Sequence, residues 1–87
     1  MSDIEATLKE RGNRYGEFSE HARVTQNIKR AMLDSLNWGA LSDDKKECLE
    51  MIAHKLGRIL NGDPEYHYSY HDIIGYTKLV ADTLKSR

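Results

Sequence analysis

The stretch SDDKKECLEMIAHKLGRILNGDP, residues 42–64, decides the fold. It opens on Ser42, a good helix cap, followed by Asp43 and Asp44, whose charges suit the positive end of a helix dipole. Leu49, Ile52, Ala53, Leu56, Ile59 and Leu60 then recur at steps of three and four, as one buried helical face requires. Asn61-Gly62-Asp63-Pro64 stops the pattern, with glycine just past the end and proline beyond it.

Working outward, residues 18–36 carry Phe18, Ala22, Thr25, Ile28, Met32 and Leu36 at the same spacing, and Asn37-Trp38-Gly39 breaks them. A further helix is expected to begin near Ser69, with Asp72 completing a capping pattern. Its buried face is Ile73, Ile74, Thr77, Val80, Ala81 and Leu84, and Lys85 and Arg87 suit its C-terminal end. A short helix over residues 3–10 starts on another capping pattern, Ser2 with Glu5, and Gly12 offers it a left-handed cap. Arg11-Gly12-Asn13-Arg14-Tyr15-Gly16 reads as a loop. The expectation is an all-α fold, a small helical bundle of three main helices plus a short N-terminal one, forming a single domain over residues 1–87.

At 87 residues the chain buries little surface, and its lone cysteine, Cys48, excludes an internal disulfide. Completion by homo-oligomerisation is therefore expected. Tyr76 and Leu79, opposite the apolar stripe of the last helix, supply a second apolar patch for a partner. The N-terminus Met1-Ser2-Asp3-Ile4-Glu5 has no basic or apolar leader region, and no apolar run approaches the roughly 20 residues needed to cross a bilayer. A cytoplasmic protein with no membrane partner is expected. Net charge is −1, from 13 basic and 14 acidic residues, so no electrostatic footprint for nucleic acid is present.

Several groups could carry chemistry. Glu47, Glu50, His54 and Arg58 share one line on the third helix, with Lys55 beside them. Such a stripe could hold a metal through its carboxylates or a phosphate through its cations; it is also where a solvated face with i,i+4 pairs belongs. His67 and His71 are four apart with Asp72 adjacent, which suits a metal only if both histidines lie on one helical turn. Gly75 in mid-helix points to the close approach of another helix or a ligand. Arg11, Arg14 and Tyr15 offer guanidinium forks and a stacking ring to a phosphate-bearing ligand. Neither G-x-x-x-x-G-K nor G-x-G-x-x-G occurs. Cys48 borders the apolar face and reads as a buried structural thiol.

Arg11, Tyr15-Gly16, Trp38, Glu47-x-x-Glu50-x-x-x-His54-Lys55-x-x-Arg58, Asn61-Gly62-Asp63-Pro64 and His71-Asp72-Ile73-x-Gly75-Tyr76 resemble a family of small proteins encoded by tailed bacteriophages and prophages. The resemblance covers most of the chain and implies a phage context, an infected host cell, more than a mechanism. Family members often carry aspartate and tryptophan where this chain has Tyr68 and Tyr70. More distantly, the chain is similar to the all-helical MazG-type nucleoside-triphosphate pyrophosphohydrolases, whose E-E-x-x-E and E-x-x-D motifs hold Mg²⁺. Lys46-Glu47-Cys48-Leu49-Glu50 matches the first motif without its leading glutamate, and Ser69-Tyr70-His71-Asp72 keeps only the final aspartate of the second.

Three functions follow as expectations. The first is an accessory protein that binds a nucleotide or other phosphate-bearing ligand through Arg14, Lys55 and Arg58, with Asp72 and Tyr76 positioning it. The second is a reduced Mg²⁺-dependent pyrophosphohydrolase using Glu47, Glu50 and Asp72. The third is an interaction module acting on a host or phage protein.

Overall fold

A computed structural model describes residues 2–84, with the side chain of Ser2 outside the description. The Ser2–Glu5 cap and the terminal Lys85 and Arg87 therefore lie outside the described residues. Helix α1 spans Ser2–Tyr15, α2 Phe18–Leu33, α3 Asp43–Asn61 and α4 His67–Thr83, with a 3-10 turn at Trp38–Ala40. The fold is all-α as expected, with no strand among the described residues.

Helix α3 is the axis of the molecule. It packs against α2 on one side and α4 on the other, while α1 makes a slighter attachment to both α2 and α3. Ser42 is its N-cap residue, with extended backbone at φ −69° and ψ 162°. Its hydroxyl donates to the Asp44 carboxylate and accepts from Lys45 Nζ at 3.0 Å, rather than capping a backbone amide.

The first helix runs on past Glu10 to Tyr15, so the expected loop over residues 11–16 is mostly helical. Gly12 permits this because it faces open space and continues the ladder, its carbonyl accepting the Gly16 amide at 2.9 Å. The left-handed residue is Gly16, at φ +81°. A Cβ there would lie 2.0 Å from the Asn61 carbonyl oxygen, and one at Gly62 would lie 2.2 Å from the Arg14 carbonyl oxygen. The two loops thus meet backbone to backbone, joined by the Asp63 amide donating to the Arg14 carbonyl at 2.6 Å. Only glycine admits that approach.

Helix α2 ends at Leu33 rather than Leu36. Asp34 and Ser35 donate to the Arg30 and Met32 carbonyls at 3.1 Å, tightening the last turn, and Leu36 is left 98% exposed. Phe18, expected on the buried face, is also exposed. Helix α4 begins two residues before Ser69, at His67. Ser69 is buried inside its first turn, and no Ser69–Asp72 capping box forms because Asp72 reaches instead to Lys55.

The interior is sparse and polar. Among the described residues Cys48 and Ala53 are the buried apolar side chains, and His21, Thr25, Lys55 and Ser69 are buried with them. No large side chain among the described residues is fully enclosed.

Candidate functional site

Two mid-chain elements set the site. On α2, His21 and Thr25 lie one turn apart and face α3. On α3, Gly57 is the residue that lets them in: a Cβ there would lie 2.0 Å from Thr25 Oγ1 and 2.9 Å from His21 Nδ1. The close approach brings His21 Nε2 to 3.4 Å from His54 Nδ1, with the rings edge to face at 86°. One ring donates and the other accepts, as neutral imidazoles can.

Both histidines resist protonation. Burial pushes the pKa of His54 down, and the nearby Arg58, His21, Lys55 and Lys29 push it further, to about 4. Burial also lowers His21, against a backbone contribution from Gly57 that favours its proton. That contact falls short of a hydrogen bond, since His21 Nδ1 and Thr25 Oγ1 are buried without a partner.

A groove of about 520 Å³ opens beside this pair, between the C-terminal end of α1 and the helices α2 and α3. Its lining combines cations, Arg11 and Arg58, with the rings of Tyr15 and Phe18 and the two histidines; Glu17 is its one acidic side chain. Arg58 stacks over Tyr15, its guanidinium carbon 4.0 Å from the ring centroid. Among the described residues neither Arg11 nor Arg58 has an acidic partner at ion-pair distance. Arg14 turns away from the groove. It pairs with Glu10 at 2.5 Å, donates to the Tyr66 hydroxyl at 3.1 Å and lies over the Tyr66 ring.

The other expected site residues gather elsewhere. Lys55 crosses to α4 and donates to Asp72 Oδ2 at 2.8 Å. This hydrogen bond holds the Asp72 carboxyl below its ordinary range. Asp72 and Tyr76 line a shallower depression of about 410 Å³ with His71, Gly75 and Leu79. Gly75 is not a packing contact, since a Cβ there would meet nothing within 4 Å. The five expected phosphate ligands are therefore divided: Arg58 lines the groove, Arg14 flanks it, Lys55 and Asp72 neutralise each other, and Tyr76 lies on α4.

The magnesium reading fits this geometry poorly. Glu47 is exposed, Glu50 half-buried, and Asp72 is held by Lys55. Among the described residues no three His, Cys, Asp or Glu side chains gather as metal ligands. His67 does belong to the first turn of α4, its ring centroid 5.6 Å from that of His71, but a third donor is missing there as well. Cys48 is buried, and burial raises its thiol pKa, as suits a structural side chain.

No family model matches this chain, and neither a curated protein nor a solved structure does. No helix among the described residues is long and apolar enough to cross a membrane. His21, Thr25 and Gly57 escaped the sequence reading as site residues. Gly57, a glycine inside a strongly periodic helix, was the signal that could have found them.

Proposed function

We propose that this chain is an accessory binding protein whose groove between α1, α2 and α3 takes a phosphate-bearing ligand of nucleotide size. The observation that carries the reading is the groove itself, where Arg11 and Arg58, without an ion-pair partner among the described residues, sit beside the rings of Tyr15 and Phe18. Its volume of about 520 Å³ falls within the 300–1,000 Å³ typical of small-molecule sites. Guanidinium groups fork onto phosphate oxygens, and an exposed aromatic face accepts a base or another flat ring. Binding without hydrolysis is favoured because the metal-capable carboxylates are dispersed and one is ion-paired. The phage setting rests on the resemblance of the motifs alone.

The test is a thermal-shift screen against nucleoside mono-, di- and triphosphates, with and without Mg²⁺. Ligand at 100 times its dissociation constant adds roughly 2.7 kcal/mol, a rise of about 10 °C or more for a domain this small. The expected result is stabilisation without turnover, lost in Arg58→Ala. Mg²⁺-dependent pyrophosphate release, abolished in Glu50→Ala, would replace the binder with an enzyme. No shift across the panel would sink the nucleotide reading and favour a protein partner.

A further inference from the structure

The face of the molecule formed by α3 and α4 away from the groove is apolar and open. Leu49, Leu56 and Leu60 form one row along α3, spaced seven and four apart, and Leu49 and Leu60 are 40% and 66% exposed. Tyr70, Ile74, Thr77 and Ala81 form a row along α4 at steps of four, three and four, all exposed, with Ile74 at 65%. The rows share one side of the molecule. A groove of about 300 Å³ between the helices is lined by Leu49 and Cys48 from α3 and by Thr77, Val80, Ala81 and Leu84 from α4, with Lys45 its one charged side chain. This is the stripe that periodicity marks as core, left without a cover.

The dimensions say how much cover is missing. A compact monomer of 10.0 kDa exposes about 5,200 Å², whereas this chain exposes 6476 Å². The radius of gyration is 15.2 Å, against about 12 Å for a compact domain of this length. The surplus of roughly 1,200 Å² exceeds the ~800 Å² that each partner covers in a standard interface. Part of it lies on α1, where Ile4 and Leu8 are exposed, and part on Phe18, Leu33, Leu36 and Leu79, but the Leu49–Leu60 and Ile74–Ala81 rows are the ones joined across a shared groove, through Leu49, Thr77 and Ala81.

We propose that a second copy of this chain covers the α3–α4 face, its own Leu49, Leu60 and Ile74 meeting those of the first across a two-fold axis. A self-complementary apolar patch with its charge at the rim is what such an interface needs. The patch lies apart from the groove, so the proposal stands independently of the ligand reading. The Tyr76–Leu79 patch expected from the sequence is broken up: Tyr76 is half-buried, and Leu79, although 70% exposed, borders the polar depression beside His71 and Asp72.

Sedimentation equilibrium on the full chain tests this, with helicity followed by circular dichroism. The wild type is expected at twice 10.0 kDa. Ile74→Glu and Leu60→Glu, each changing a side chain already exposed in the single chain, are expected to give the monomer mass with the helical signal of a folded chain at high protein concentration. Leu79→Glu is expected to leave the dimer intact. A wild type that stays at the monomer mass at 100 µM overturns the proposal. So does an oligomer that survives both Ile74→Glu and Leu60→Glu, or one that Leu79→Glu alone dissociates.

Discussion

Lys55 Nζ lies 2.8 Å from Asp72 Oδ2, with the lysine side chain 11% exposed and the aspartate 40%. The asymmetry fixes what each substitution does. Removing Asp72 strands a buried ammonium, whereas removing Lys55 releases a carboxylate that water can still solvate. Asp72→Ala is expected to destabilise by about 1–3 kcal/mol, and Lys55→Met by less, since methionine keeps the buried apolar stem and removes the charge. Chemical denaturation of both variants and of the double mutant checks this. Equal losses in the two single mutants would contradict the assigned burial.

Two glycines inside helices predict opposite outcomes. Gly57→Ala drives a methyl against Thr25 and His21, so α2 must move off α3. A loss of about 1–3 kcal/mol is expected, despite the better helix propensity of alanine. Gly75→Ala meets nothing within 4 Å and should stabilise by up to about 1 kcal/mol. Thermal melts of the two variants, moving in opposite directions, are the readout.

The histidine pair makes stability depend on pH. In the unfolded chain His54 takes its proton near 6.5, but in the folded chain only near 4. Between those values the unfolded state binds more protons, so stability increases with pH. The melting temperature should fall as pH drops from about 6.5 towards 4.5, a window above the lowered range of Asp72. His21, lowered in the same direction, adds to the slope. A melting temperature that stays flat across the window would show that neither histidine is held neutral.

Arg58 tests the groove more finely than alanine alone can. Its guanidinium both stacks on Tyr15 and presents a planar fork, whereas lysine offers a point charge that can lie over the ring but neither stacks as a plane nor forks. Arg58→Lys is therefore expected to weaken binding of a phosphate-bearing ligand about tenfold or more, a difference of about 1.4 kcal/mol. An anion in the groove would also favour a proton on His54, so binding should take up protons and strengthen as pH falls. Titration calorimetry in buffers of different ionisation enthalpy measures that uptake directly.

The helices were legible where apolar periodicity and punctuation agree. Residues 42–64 carry both, and α3 falls where they place it. The boundary of α1 departs from the expectation because Gly12 and Asn13 look like loop, although an exposed helix tolerates them when the real cap, Gly16, is locked by Asn61 at the end of α3. Lys55 and His21 were not legible as interior residues. A lysine is almost never enclosed unless paired, and nothing local announces that Asp72 will be the partner. The site was half legible for the same reason. Arg58 and the Arg11–Gly16 segment were marked by residue type, but His21 joins them only through the steric room at Gly57. The leucine row on α3 was read correctly as apolar, and a single chain does not supply its cover.

The clasp between the Arg14 carbonyl and the Asp63 amide has one more consequence. Residues 3–13 of α1 are exposed throughout, so this helix is tethered chiefly at its C-terminal end. Because the tether is main chain to main chain, mutation of either side chain leaves it in place. In heavy water the Asp63 amide should retain its hydrogen long after the amides of the first turns of α1 have exchanged. The expected outcome is two lifetimes in one groove: an α1 wall that exchanges early and a floor, the histidine pair between α2 and α3, whose backbone amides exchange late.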